Sequence, residues 1–539
     1  MTESFDYVVV GGGAAGCILA ARLSQDPSRS VLLLEAGHDY RGEQTPAEVL
    51  DVKTVPMRGH AEEFMPEHDW GLVVHSRGSA GINVPQGRLI GGGSAINGAI
   101  SLRGARADYD EWVAFGNPEW SWEKVLPTFV AMENDPAPGD FHGHDGPIPL
   151  ARASDDELAP IQAAFVESAK AIGVPYVYDL NAPDAHGVGP APMTRIGERR
   201  VSTAESYLAP ARSRPNLTVR GDSLVDRVLF EGTRATGVLL ADGTVIEAGQ
   251  EVVLCAGAIQ TPAILQRSGI GRAEVLRPLG IEQLVDLPAG ENLGDHFNVP
   301  LMAQPKPGVW QPGQYGLQTV LRMSTSVQPG SLDGQLTTFT YLSTKTTGEG
   351  NRGLAGEGSE DVDYVCGVGC VLNKPRSLGT VRITSTDPNA LPDVDPNYLD
   401  RSIDRDAIRE IVRLAWRVFT TPPMAELVND ALGFDEEIMA DDARLDEVIE
   451  SKTASGYHFT GTALMAQPER GGVVDQQGLV HGTSGLRVAD ASVIPTTPAA
   501  NSQLTTFMTA ERIAAMAIAG TERIDVPLAA PGWEPKARR

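Results

Sequence analysis

Basic residues are scarce in this chain. Lys and Arg total 44 against 70 Asp and Glu, a formal net charge of −26. An acidic exterior of this kind repels polyanions, so neither nucleic acid nor an anionic membrane surface is expected as a partner. Cysteine is scarcer still, at Cys17, Cys255, Cys366 and Cys370 only. None has zinc-type spacing, and all lie in apolar runs, so they read as small packed side chains without disulfides. There is no window of about 18 uninterrupted apolar residues, so no membrane-inserted helix is expected. The first strand-like run begins at Phe5, which leaves no space for a leader segment, and a cytoplasmic location is expected. Internal repeats and low-complexity blocks are also missing. The chain has 539 residues, 42% of them apolar, which suits two or three domains, each with its own core.

The most informative stretch lies at the start. An apolar run, Tyr7 to Val10, leads into Gly11-x-Gly13-x-x-Gly16. A helical pattern follows from Ala14 to Ser24, and a second apolar run, Val31 to Leu34, ends on Glu35. This is a βαβ unit with glycines at its first turn and an acid about 20 residues further on. Gly11 permits the tight turn, Gly13 lets backbone approach a pyrophosphate, and Gly16 lets helix pack on strand. The helix N-terminus, with Ala14 and Ala15, offers N–H groups to phosphates. Glu35, beside Ala36, can accept bonds from both ribose hydroxyls. A carboxylate there disfavours a 2′-phosphate, leaving FAD or NAD as the dinucleotide.

Beyond this unit, residues 38–90 are polar with scattered Pro and Gly and read as a long, loop-containing excursion that could cover an active site. Helices are expected at about 107–115, 121–132, 158–172, 403–418, 442–452 and 505–519. Alternation over Asp226–Phe230, Thr236–Leu240 and Thr244–Ala248, with Asp242-Gly243 as a turn, predicts a small meander leading into the apolar strand Glu251–Cys255. Residues 300–400 suit an antiparallel sheet.

Five blocks, in order, resemble the glucose–methanol–choline (GMC) oxidoreductase family. They are the N-terminal unit, Gly87–Asn97 (Gly-Arg-Leu-Ile-Gly-Gly-Gly-Ser-Ala-Ile-Asn), Gly257–Gly271, Gly290–His296 (Gly-Glu-Asn-Leu-Gly-Asp-His), and the run from His458 through Asp490 to Asn501. Ser101 departs slightly from the usual pattern after the second block. The resemblance implies an α/β FAD-binding Rossmann-like domain plus an α+β substrate domain with an antiparallel sheet. The expected boundaries are 1–155, 205–300 and 456–525 for the FAD domain, 156–204 and 301–455 for the substrate domain, and 526–539 for a surface tail. It also implies that Arg88, Gly91, Gly92, Ser94, Asn97, Gly98 and Ala99 lie against the flavin and diphosphate. Val225, Ala256 and Gly257 would sit near adenine. Asp490 and Ala491 would reach the ribityl and diphosphate, and Asn501, Ser502 and Gln503 the flavin. Relatives that tether FAD use a histidine just before the asparagine matching Asn97. That position is Ile96 here, so non-covalent FAD is expected.

Alcohol oxidation removes a hydroxyl proton and a hydride from one carbon, so a base must face the cofactor. The chain has ten histidines. His38, His60, His68 and His75 lie in the polar excursion, His142, His144 and His186 in loops, and His481 in a turn. His296 reads as structural. His458, in Tyr-His-Phe-Thr-Gly-Thr, is similar to the family's base, with Asn501 as its partner. An amide is no base at neutral pH, which leaves that role to His458 and an orienting hydrogen bond to Asn501. The small-sided run Gly367–Leu372 either lines a roomy pocket or forms a packed strand. The expected reaction oxidises a neutral primary alcohol, aromatic or furanic, to an aldehyde, with O2 or a quinone-like acceptor. The alternatives are a choline-type or other aliphatic alcohol dehydrogenase, a redox-idle hydroxynitrile lyase, an NAD enzyme and a non-enzymatic FAD-binding scaffold. Metal ligation is not expected.

Overall fold

Apolar runs with no polar alternation need cover on both faces, and Val31–Leu34 is buried at every position. The computed structural model describes residues 3–53, 68–75, 81–311, 313–343 and 364–520. His60 and the expected 526–539 tail lie outside them. The strands Glu3–Val10 and Val31–Leu34 pair in parallel, with Val8 beside Leu32. Around them a mixed sheet runs in the order Leu217–Arg220, Val31–Leu34, Glu3–Val10, Val245–Leu254, Arg234–Leu240, Val225–Glu231. The last three strands are the expected meander. Its third strand runs on past the hairpin, and Val252–Leu254 pairs in parallel with Leu486–Val488. The C-terminal segment thus reaches the same sheet edge as the N-terminal glycines.

The helix Ala14–Leu23 packs against the last helix, Ser502–Ala519. Arg22 Nη2 meets Glu511 Oε1 at 2.7 Å, and Tyr207 donates its hydroxyl to the same oxygen at 2.7 Å. Glu511 is buried, so these donors stabilise a charge that would be costly alone. The last helix begins at Ser502, not Thr505. Its first turn is polar, and apolar periodicity marks it only from Leu504.

A second sheet is antiparallel throughout, in the order Val428–Ala431, Phe297–Pro305, Tyr364–Leu372, Gly334–Ser343, Thr319–Met323, Gly187–Pro190. One face carries the helix Ser402–Phe419, whose Ile408, Ile411, Val412, Ala415 and Phe419 form a buried stripe. Period two then divides the strands. Leu336, Cys366, Val368 and Cys370 join this core, while Gln335, Thr337, Phe339, Gly369 and Val371 face a cavity on the other side. All four cysteines are buried and free. Burial pushes Cys17 and Cys366 up to about 12, which suits inert packing.

Part of the 38–90 excursion is more ordered than its polarity suggests. Leu72–Val74 and Ile82–Val84 pair antiparallel, and Leu72, Val74, Ile82 and Val84 join the core of the second sheet. Among the described residues, no helix is long and apolar enough to cross a membrane.

Candidate active site

A cavity of about 330 Å³ is lined by residues from both sheets. At one end are the glycines of the first unit. A Cβ on Gly16 would lie 1.8 Å from the Gly11 carbonyl oxygen, so only glycine lets helix and turn meet there. Gly11, Gly13, Ala14 and Ala15 line the cavity, and Gly16 packs behind them. The second glycine cluster abuts the first through bare backbone. The Gly91 N–H donates to the Gly12 carbonyl at 2.8 Å, and a Cβ on Gly92 would come within 2.7 Å of Gly13 Cα. Gly92, Ser94, Asn97, Gly98 and Ala99 face the cavity. Gly91 and Arg88 are not among its lining residues. Gly91 makes the contact between the two turns, and Arg88 stacks its guanidinium over the Trp70 ring at 5.0 Å.

Glu35 is buried beside this floor with Ala36. Its Oε2 accepts the Gly12 N–H at 2.7 Å and its Oε1 the Gly37 N–H at 2.8 Å. Burial raises its pKa to about 7 against the pull of those two donors. Val225, Ala256 and Gly257 line the same end. Asp490 lines it too, with Ala491, but its oxygens already accept the Gly257 N–H at 2.8 Å, the Thr261 hydroxyl at 2.6 Å and the Ser492 N–H at 2.8 Å. It holds the start of the helix Gly257–Arg267 in place.

His458 lines the same cavity and is linked through Asn501 to Gln335 of the second sheet. Its segment pairs with the Gly290–His296 block, through Thr460 N–H to the Gly294 carbonyl at 2.9 Å and Gly456 N–H to the His296 carbonyl at 2.6 Å. Buried Asp295 accepts the His458 N–H at 2.8 Å and the Ser455 hydroxyl at 2.6 Å, and the Tyr398 hydroxyl also donates to it. Tyr457 is held at a φ of 66°, rare for a bulky residue, with its N–H on Ser455 Oγ at 2.9 Å. Such local strain persists only where the surroundings fix it. Burial lowers the His458 pKa to about 4, so the imidazole is neutral at pH 7.

Asn501 precedes the last helix, and its Nδ2 lies 3.2 Å from His458 Nε2. Its Oδ1 accepts from Gln335 Nε2 at 3.4 Å. Ser502 and Gln503 also line the cavity. Gln503 bonds Asn97 and donates to Ser101 Oγ at 2.7 Å, which gives the unusual Ser101 a partner.

Two features were not read from sequence. His296 is no bystander, because its Nδ1 lies 2.9 Å from His458 Nδ1. The wall formed by Asn298, Gln335, Thr337, Phe339, Gly369 and Val371 was also missed, apart from the small-sided run. Gly369 matters there, since a Cβ would meet Asn298 Oδ1 at 2.9 Å and Phe339 at 3.1 Å.

Two models of the GMC oxidoreductase family match the chain, the N-terminal one over residues 5–298 and the C-terminal one over 375–510. The chain belongs to the GMC oxidoreductases. It is 36% identical to a 5-(hydroxymethyl)furfural oxidase of Methylovorus sp., covering 95% of this chain and 99% of the relative. It is 34% identical to an oxygen-dependent choline dehydrogenase of Escherichia coli, covering 96% of each. Pyridoxine 4-oxidase from Mesorbium loti superposes with a TM-score of 0.84 at 28% identity, over 95% of this chain and 98% of that one. This GMC oxidoreductase is an FAD-dependent enzyme acting on alcohols. The residues present fit that cofactor. A Cβ at Gly93 or Gly257 would meet nothing within 4 Å, so bare backbone borders open space there, and buried Glu35 stands beside it as an acceptor.

Proposed function

We propose that this enzyme oxidises a neutral primary alcohol, aromatic or furanic, to the aldehyde, with His458 as base. The carrying observation is the His458–Asn501 pair, both lining one cavity with the glycine cradle. Gly11, Gly13, Ala14, Ala15 and Glu35 would hold the ADP half of FAD. Asn97, Gly98, Ala99 and Ser502 would border the flavin. Bound FAD supplies the hydride acceptor.

The chain's own residues handle the proton and the geometry. His458 Nε2 takes the hydroxyl proton, and the Asn501 amide orients the substrate oxygen. Trp70, Leu72, Pro85, Gln86 and Gly87 also line the cavity. N–H groups at the start of the last helix favour negative charge beside Asn501.

Substrate neutrality rests on the charged lining residues. Among the described residues these are Glu35, Arg267 and Asp490. Glu35 and Asp490 face backbone donors, and Arg267 donates to the Asp226 carbonyl at 2.8 Å. None offers a free carboxylate to a quaternary ammonium beside His458. The other lining residues of this region are uncharged, with apolar Leu317, Phe339, Val371 and Phe459, amides Asn298 and Gln335, and hydroxyls Thr337, Ser455 and Tyr457.

A panel of benzylic, furanic and aliphatic alcohols and choline, incubated with holoenzyme under air, tests this. Turnover of the aromatic and furanic alcohols with little choline oxidation is expected. Dominant choline turnover would overturn the assignment. Peroxide release would identify O2 as acceptor, and reoxidation only by a quinone would identify the other class. A flavin that no alcohol reduces would leave the lyase reading.

A further inference from the structure

The base must present a nitrogen without a proton, and a neutral histidine can carry its proton on either nitrogen. We propose that His296 is a positioning residue that locks His458 in the Nδ1–H tautomer, leaving Nε2 bare toward the cavity. This rests on the reading of His458 as base.

The assignment follows from partners. His296 Nε2 lies 2.7 Å from the Pro498 carbonyl oxygen. A carbonyl can only accept, so Nε2 carries a hydrogen. His296 is fully buried, and burial, together with the charge His458 would carry, holds its pKa well below the usual histidine range. It is therefore neutral, and its Nδ1 is a bare acceptor. That atom lies 2.9 Å from His458 Nδ1. Two bare nitrogens at this distance would repel, so His458 Nδ1 donates. Its Nε2 then holds only a lone pair, which faces Asn501 Nδ2 at 3.2 Å. The amide is set the right way round, because Gln335 Nε2 donates to its other end at 3.4 Å. One directional chain of donors runs from Gln335 through Asn501, His458 and His296 to Pro498.

The end of that chain is anchored. The Thr497 carbonyl accepts from Lys374 Nζ at 2.9 Å, the Ala499 N–H donates to Asp108 Oδ2 at 2.8 Å, and the Ala499 carbonyl accepts from Arg322 at 2.8 Å. Lys374 also bears on His296 electrostatically and disfavours a second positive charge there, as does His458. Asp295 is a further titratable neighbour, reaching His458 through its backbone N–H, and Tyr457 precedes His458 in the chain. When Nε2 takes the hydroxyl proton, the O–H bond breaks, an N–H bond forms, and the imidazolium keeps its bond to His296 Nδ1.

The test is 15N NMR of histidine-labelled holoenzyme combined with kinetics. At neutral pH the His458 Nδ1 should read as protonated and Nε2 as bare. In H296L the tautomers should mix, and kcat should fall about 10- to 100-fold, the range for losing a partner that orients a functional imidazole. KM should change little. In H296N, whose Oδ1 can replace the lost acceptor, much of kcat and the original tautomer should return. A wild-type His458 protonated on Nε2 would overturn the proposal even if H296L failed to fold. So would an H296L enzyme with wild-type kcat and tautomer. Full activity in H458A would instead remove the underlying base assignment.

Discussion

Asn501 Nδ2 and His458 Nε2 lie 3.2 Å apart across 43 residues of chain. The two segments meet because the His458 segment pairs with residues 294–296, while Asn501 starts a helix packed on the N-terminal one. Substituting Asn501→Ala removes an oriented donor, while Gln335 Nε2 keeps its bond to Thr337 Oγ1 at 2.9 Å. The loss should cost about 1–3 kcal/mol of transition-state stabilisation, read from kcat/KM. FAD content should not change. An unaltered kcat/KM would mean that the amide plays no part in orienting the substrate.

The pH profile should be set by burial. A base pushed down to about 4 is unprotonated throughout the neutral range. Asp295, which holds the His458 backbone, is pushed up by burial to about 6. Rates should therefore hold in the neutral range and decline in two steps, one near pH 6 as Asp295 gains a proton and one near 4 as His458 does. A complete loss in a single step at the pKa of an ordinary histidine, with no activity left between pH 6 and 4, would show that His458 is not desolvated in the working enzyme.

Ile96 occupies the position where tethering relatives carry histidine, and it is buried beside the glycine loop. Denaturing precipitation should leave the flavin in the supernatant. Flavin in the protein pellet would require another attachment residue.

A buried ion network away from the cavity makes stability depend on pH. His142 Nδ1 lies 3.0 Å from Glu133 and its Nε2 2.8 Å from Asp179. Arg152 bonds Asp135 at 2.6 Å and Asp179 at 2.7 Å, and Arg103 pairs with Glu133. Glu133, Asp135 and His142 have metal-type donors within 4.8 Å of one another, but these carboxylates already face the two arginines. Burial opposes charging His142, yet hydrogen bonds to Asp179 and Glu133 prevail and raise it to about 9. The raised pKa stabilises the fold fully below the ordinary value of 6.5, and the contribution is lost as pH rises through about 9. Denaturant midpoints should drop across that window in the native chain and vary less in H142Q. Equal pH slopes would count against the network.

Much of this arrangement was legible in the sequence, because short-range signals carry it. The Gly11–Gly16 turn and Glu35 announce themselves through strand, helix and acid in fixed spacing. The long helices emerge from apolar periodicity to within a few residues. His458 and Asn501 were found through resemblance to the family, since an isolated histidine or asparagine carries no local mark. His296 and Gln335 were invisible for a physical reason. Their roles depend on register between strands and loops far apart in sequence, and nothing in either segment encodes its partner. Similarly, the paired strands Leu72–Val74 and Ile82–Val84 are too short for alternation to stand out.

The most direct test mixes holoenzyme and its His458→Ala variant with an oxidisable alcohol without oxygen and follows flavin bleaching. With His458 as base, wild-type bleaching should be rapid, and the variant's should slow by about 10²–10⁴-fold while it keeps its FAD. Bleaching at the wild-type rate in H458A would contradict the mechanism.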